Sequence, residues 1–457
     1  MAVRIILALL GLFLAGYAIS DDPFYGGAPG FGGTQAFIAL LGAALLVVAA
    51  IGSPARRTNT LLLSGTFLLM LALTEWVTDK VLGPVLRPPY DYDEKLLFKL
   101  RPGAKCVAPQ LPENGGGAVP YEINSEGFRG PELDPKHEKP RILVYGDSFI
   151  HATYTPEDET FVRQLGRQLE PKLGPVEMVN AGVSSYGPDQ EGLRMETELA
   201  KYKPQLVVVA VFAGNDYGDL MRNKLYRVDE GDTLEPSPHQ VDASIRDMLV
   251  LNSKNSAVMR GLKNIRTLVM AKAAGVKPEV KTDAAAKKKQ IDSWVEMAKL
   301  EYDEHVIKKD PIVRNTHIDY YSVDLSVDPA SDAGRYKAKL MKLVLGHLVD
   351  LTKAANVPLV FLFIPHPMDV AEHYDYAEID RARFPSYDPK NLIQPLLEFS
   401  SERSVPSVDL FEVYRAHGDP LSLYLKGGDD HWNSVGQRIA AEAVAAKIIE
   451  LGPLAKP

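Results

Sequence analysis

The sequence has a single cysteine, Cys106. An intramolecular disulfide is therefore excluded, as is any zinc or iron–sulfur centre caged by cysteines. Cys106 reads as a small packed hydrophobe. Positive charge is also in short supply: 51 Lys and Arg stand against 59 Asp and Glu, for a formal net charge of -8 and a pI of about 5.8. That leaves no basic field for nucleic acid, and no nucleic-acid-binding motif is found. Internal repeats are missing too. What is present is ordinary for a folded chain, with 46% hydrophobic and 24% charged residues. At 457 residues, more than one structural unit is expected.

Three apolar stretches come first, Ile5 to Ile19, Ala36 to Ile51 and Leu61 to Val77. With flanking residues each approaches the ~20 residues needed to span a bilayer, so residues 1–82 read as a membrane module with three transmembrane helices. Arg4 precedes the first stretch, and Arg56 and Arg57 separate the second from the third. The connection from Asp21 to Gln35 has two acids and no Lys or Arg. The positive-inside rule then places the N-terminus and the Arg56 loop in the cytoplasm and everything after Val77 outside. Gly16-Tyr17-Ala18 resembles a signal-peptide cleavage site, an alternative fate for the first stretch that leaves the rest of the chain outside as well. Membrane lipid is thus an expected partner.

Residues 83–135 are rich in Pro and Gly (Arg87-Pro-Pro-Tyr90, Arg101-Pro-Gly103, Gly115-Gly-Gly117) and read as an extended arm, ending in a strand and tight turn over Tyr121–Pro131. From 136 to 455 the pattern becomes strand, helix, strand, helix, strand. Short apolar runs at Ile142–Tyr145, Pro175–Val179 and Gln205–Phe212 alternate with helical patterns at Thr160–Leu169 and Gln190–Tyr202, as in an α/β sheet. The unbroken apolar run Leu206–Phe212 is expected of a central parallel strand covered on both faces. Residues 217–335 break this rhythm. They are polar and mostly helical in pattern, with Ile245, Met248, Leu249, Leu262, Ile265 and Val269 at amphipathic spacing, and read as an insertion that caps a site or contacts a partner. The sheet resumes with helix Tyr336–Ala355, strand Pro358–Ile364, helix Pro389–Arg403, strand Val405–Phe411 and a last helix Ser434–Glu450.

Chemistry concentrates at the carboxyl ends of these strands. The first ends at Gly146-Asp147-Ser148, where glycine permits a sharp turn that can present a side chain at the edge where open α/β sheets bind ligands. Serine is a weak nucleophile and needs a base held in the right tautomer by a carboxylate. Asp429-Asp430-His431 offers both on one loop before the last helix. A tetrahedral intermediate needs hydrogen-bond donors aimed at its oxyanion. Asn215, at the end of the third strand, offers a side-chain amide, and Ser148 and the Gly182–Ser185 turn offer backbone N–H groups. His151 and His366 read as structural or peripheral.

These blocks resemble the SGNH/GDSL hydrolase family: Gly146-Asp147-Ser148, Asn180-Ala-Gly-Val-Ser-Ser-Tyr-Gly187, Gly214-Asn215-Asp216 and Asp429-Asp-His-Trp-Asn433. The likeness covers roughly residues 121–212 and the final stretch, with the insertion unmatched. It implies a three-layer, flavodoxin-like α/β fold without metal or organic cofactor. It also implies Ser148 as nucleophile, His431 as base, Asp429 as its orienting acid and Asn215 as oxyanion donor. Two departures stand out. Where the family usually has Gly this chain has Ser185, which still carries the needed N–H, with Gly182 as fallback. The common Asp-x-x-His spacing would put Gly428 in the acid position. Here the spacing is Asp-x-His, similar to an Asp-x-His-Trp branch in which some members act on polysaccharide acyl groups, which favours Asp429 and keeps Asp430 in reserve. The expected protein is a membrane-anchored, extracytoplasmic serine esterase or O-acyltransferase acting on acylated small molecules or on O-acyl groups of cell-envelope glycans. The rival expectation is an inactive envelope binding or assembly protein that retains the fold.

Overall fold

The computed structural model describes residues 1–19, 32–86, 89–110, 114–246, 249, 258, 284–452 and 454. The chain divides into two compact units, Met1–Pro88 with Asp247–Pro278, and Pro89–Arg246 with Glu279–Pro457.

The first unit holds three helices, α1 (Ala2–Ile19), α2 (Gly33–Ile51) and α3 (Pro54–Leu86). Helices α1 and α2 approach closely at Gly11 and Gly42. A Cβ at Gly11 would lie 2.9 Å from the Gly42 carbonyl oxygen, so only small residues permit this crossing. By length and composition two helical stretches could cross a membrane, Ala2–Ile19 and Pro54–Val81. The apolar stretch Gln35–Ile51, within α2, is one residue shorter than Ala2–Ile19. Large apolar side chains on α3, among them Leu63, Leu69 and Trp76, are exposed.

In the second unit the Pro- and Gly-rich stretch expected to be an arm is instead two antiparallel hairpins. β1 (Tyr90–Asp93) pairs with β2 (Leu97–Leu100), and β3 (Lys105–Pro109) with β4 (Ala118–Glu122). Buried Leu97, Phe98 and Leu100 on β2 and alternating burial along β4 pin them to the domain, so the prolines and glycines punctuate hairpins rather than loosen a linker.

The sheet has five parallel strands: β5 (Arg141–Tyr145), β6 (Glu177–Asn180), β7 (Leu206–Phe212), β12 (Leu359–Ile364) and β13 (Ser407–Asp409). Their spatial order is β13-β12-β7-β5-β6, the 2-1-3-4-5 arrangement of flavodoxin-like folds. Every residue of β5, β7 and β12 is buried, each apolar side chain contributing roughly 1.5–3 kcal/mol. Helices α5 (Phe161–Leu173) and α14 (Ser434–Leu451) pack together, as do α6 (Pro188–Tyr202) and α10 (Asp332–Ala354), giving the outer layers. The order reverses between β5 and β7, so the crevice beyond their carboxyl ends is the topological switch point where such sheets bind ligands.

Among the described residues the insertion combines helices with short strand pairs. It opens with α7 (Asp216–Asn223), buried along its whole length. A small hairpin, β8 (Tyr226–Val228) with β9 (Leu234–Pro236), and a parallel pair, β10 (Gln240–Val241) with β11 (Ile312–Val313), follow. Between β10 and β11 lies α8 (Ala284–Tyr302), and α9 (Val323–Val327) leads back to the sheet. The helical spacing expected from Met248, Leu262, Ile265 and Val269 falls outside the described residues.

Candidate active site

Strand β5 is followed by Gly146, and Ser148 opens the four-residue helix α4 (Ser148–His151). Glycine is required at 146 because a Cβ there would sit 2.4 Å from Ile150 Cγ1 and 3.2 Å from Ala210 Cβ. Asp147 caps the turn by accepting the Phe149 N–H at 2.8 Å. From the hairpin side, the buried Arg129 guanidinium donates to the carbonyls of His151, Ala152 and Thr155, which fixes the loop that follows Ser148.

The loop Asp429–Asn433 reaches Ser148 from the far end of the chain. Trp432 is buried against Phe149 and Phe161, and its indole N–H donates to the Phe149 carbonyl at 3.0 Å. Asn433 caps α14 by accepting the N–H groups of Val435 and Gly436. Between these anchors His431 Nε2 lies 2.7 Å from Ser148 Oγ, and His431 Nδ1 lies 2.6 Å from Asp429 Oδ1. The same Asp429 oxygen accepts the His431 backbone N–H at 3.0 Å. Asp430 Oδ1 is 3.6 Å from Nδ1, too far for a hydrogen bond, so geometry selects Asp429 over Asp430 as the partner.

Electrostatics separates the two acids. Burial works to raise Asp429, but the charge and hydrogen bonds of His431 outweigh it and hold the carboxyl below its usual range. Burial raises Asp430. For His431, burial disfavours the imidazolium, yet the Asp429 carboxylate and its hydrogen bond, with Asp430 and Asp147 nearby, push the ring up to about 10. By spacing, Asp429, Asp430 and His431 are the group of ligating side chains close enough to hold a cation among the described residues. Both His431 ring nitrogens, however, are committed to Ser148 and Asp429, which leaves the neutral imidazole no lone pair for a metal.

Asn215 and Ser185 flank Ser148, each bordering a cavity that Ser148 also borders. Asn215 is the N-cap residue of α7 but makes no side-chain cap, and its buried Oδ1 has no hydrogen-bond partner among the described residues. Ser185 has φ +66°, a backbone conformation that favours glycine, and its N–H donates to no protein group among the described residues. Gly182 is a correction: its N–H donates to Asn180 Oδ1 at 3.0 Å and is not available to an oxyanion. That glycine serves packing, since a Cβ would lie 2.4 Å from the His151 backbone nitrogen. His151 is fully buried, with Nδ1 2.7 Å from Ser184 Oγ. His366, read from sequence as structural or peripheral, caps a helix through Nδ1 and also lines a cavity with Ser148.

Sequence reasoning missed Arg222 and Asp319. Arg222, on α7, donates to the Ser185 carbonyl at 2.7 Å, pairs with Asp219 at 3.0 Å and bonds Asp319 of the insertion. It therefore braces the strained Ser185 turn. Removing a buried charged partner costs about 3–5 kcal/mol, so Arg222→Ala is expected to lower unfolding free energy by that order in urea titrations. The only sequence clue was an arginine in a helix directly after Gly214-Asn215-Asp216.

No protein-family model matches the chain, and no curated protein matches it. Similar backbones occur among solved structures. A lipase/acylhydrolase from Enterococcus faecalis is 12% identical with TM-score 0.29, over 70% of this chain and 98% of that one. The psychrotrophic esterase EstA from Pseudoalteromonas sp. is 12% identical with TM-score 0.32, over 68% and 97%. An acetyl xylan esterase, AlAXEase, is 11% identical with TM-score 0.33, over 68% and 99%. These are distant likenesses of backbone course; the chemistry is read from this chain's own side chains.

Proposed function

We propose that this protein is a serine esterase or O-acyltransferase that works through an acyl-Ser148 intermediate. The observation that carries the reading is the unbroken hydrogen-bonded line from Ser148 Oγ through the His431 ring to Asp429. As Ser148 Oγ attacks the ester carbonyl carbon, its proton passes to His431 Nε2. The oxyanion that forms is met by the Asn215 amide and the backbone N–H groups of Ser148 and Ser185, donors typically worth about 2.7–4 kcal/mol each. Collapse expels the alcohol, which takes the proton from Nε2 and leaves acyl-Ser148. Water or an acceptor hydroxyl then attacks the acyl carbon, gives its proton to Nε2, and Ser148 recovers it as the product leaves. Asp429 keeps the ring in the tautomer with its proton on Nδ1 and stabilises the imidazolium.

The membrane helices, the Arg4 and Arg56–Arg57 flanks and the acyl chemistry together support a multi-pass anchor, an extracytoplasmic catalytic unit and, as substrate, O-acyl groups of cell-envelope glycans. The chemistry is tested with the full-length protein in detergent and p-nitrophenyl acetate. A burst of p-nitrophenol close to one equivalent per chain, followed by slower turnover, is expected. Absence of both burst and turnover favours the inactive envelope-protein alternative.

A further inference from the structure

Two cavities meet at Ser148. One, of about 340 Å³, is walled by Tyr90, Tyr121, Tyr154 and the Ser184–Ser185 turn. The other, of about 370 Å³, lies on the Asn215 side and is walled by Trp294, Tyr321, His366, Tyr374 and Tyr376. Ser148, His431 and Asp319 border both. An acyl-transfer site must seat an acyl group and an alcohol on either side of its nucleophile, and this division supplies two compartments.

The larger compartment has a distinctive chemistry. Its rings form a continuous belt: Trp294 to Tyr321 at 5.6 Å between centroids, Tyr321 to His366 at 4.7 Å, His366 to Tyr374 at 5.7 Å and Tyr374 to Tyr376 at 5.5 Å. Polar residues border the same space. Asn215 lies in its wall, and its Oδ1 has no hydrogen-bond partner among the described residues. His366 Nδ1 accepts the Met368 N–H at 3.1 Å, so the neutral ring carries its proton on Nε2, 3.6 Å from Asp430 Oδ2. The Asp430 carboxylate borders the cavity as well.

Three ligand classes can be weighed against this lining. An alkyl chain would set an apolar ligand against the Asp430 carboxylate and the Asn215 amide of the wall, which is unfavourable. An anionic ligand would face the Asp430 carboxylate with no Lys or Arg among the residues of the wall, since the nearby Arg222 is already bound to Asp319. A neutral sugar satisfies both requirements: its C–H face packs on the rings and its hydroxyls bond the polar groups of the wall. We propose that the Trp294–Tyr376 chamber is the subsite for an uncharged sugar ring that carries the alcohol side of the reaction, with the acyl group held in the smaller cavity toward Ser185. This rests on the acyl-Ser148 reading and adds to it the side on which the glycan lies and its lack of charge.

Binding is tested apart from chemistry, in full-length Ser148→Ala protein in detergent. Neutral tetrasaccharides (cello-, xylo-, manno- and N,N′-diacetylated chito-series) and a uronic acid tetrasaccharide are titrated by calorimetry. At least one neutral ligand is expected to bind and the uronate to bind at least about ten-fold more weakly. Trp294 is half-buried, so its truncation need not unfold the protein. In the same background Trp294→Ala is expected to weaken the neutral sugar about ten-fold with an unchanged thermal midpoint, and Trp294→Phe to restore most of the affinity. Tyr376→Ala is the second probe, with the same expected loss. Failure of every neutral sugar to bind, tighter binding of the uronate, or indifference to both Trp294→Ala and Tyr376→Ala overturns the proposal. A wild-type acetate burst without sugar binding would sink this subsite and leave the acyl-serine reading intact. Sugar binding without a burst would do the reverse.

Discussion

Replacing Ser148 by Ala is expected to lower kcat/KM for p-nitrophenyl acetate by about 10⁴–10⁶, to the level left by oxyanion donors and binding alone. The expectation follows from the single hydroxyl 2.7 Å from His431 Nε2. His431→Ala should cost a similar factor, because an unactivated serine is a poor nucleophile. The double variant should be no worse than either single one, since the two groups act as a unit. Steady-state rates on folded protein, checked by circular dichroism, measure all three. A Ser148→Ala loss below about ten-fold would mean that another group carries the reaction.

Asp429→Asn is expected to lower kcat by about 10⁴ by favouring the wrong imidazole tautomer. Asp430→Asn, whose carboxylate stands 3.6 Å from the ring, should change it by less than about ten-fold. The pH profile gives an independent readout. His431 takes the serine proton only when neutral, so kcat/KM should climb as pH rises through the ring's pKa in the folded protein. Asp429 pushes that value up from 6.5 toward about 10, so the climb should be centred on the alkaline side of 6.5. Removing the Asp429 charge withdraws the largest raising influence, so Asp429→Asn should shift the climb to lower pH as well as lower its plateau. A profile centred at the same pH in both proteins would count against the Asp429–His431 pair.

The sheet was legible because its strands carry local patterns. Leu206–Phe212 is an unbroken apolar run and proves to be a central strand with every residue buried. The turns after β5 and β7 are marked by Gly146-Asp147-Ser148 and Gly214-Asn215, and the structure places Ser148, Asn215 and His431 around one cavity. The hairpins β1–β2 and β3–β4 were hidden because Pro88, Pro89, Pro102 and the 115–117 glycines dominate the local signal. The strands themselves run only four or five residues, too short for a clear period-two pattern. Gly182 and Ser185 could not be told apart by type, since the need is for a free N–H. The structure separates them, because Asn180 takes the Gly182 donor while Ser185 adopts a left-handed backbone braced by Arg222. Trp294, Asp319 and Tyr321 were invisible for another reason. They enter from an insertion whose placement depends on long-range packing, and no spacing in the sequence ties them to Ser148.

The most direct measurement is the intact mass of the full-length protein quenched in acid during the p-nitrophenyl acetate burst, followed by peptide mapping. Acyl-serine chemistry predicts one added acetyl group per chain, located on the peptide containing Ser148, absent in Ser148→Ala and cleared on further incubation. Turnover with no such adduct under any quench, or an acetyl group found elsewhere and retained in Ser148→Ala, would contradict it.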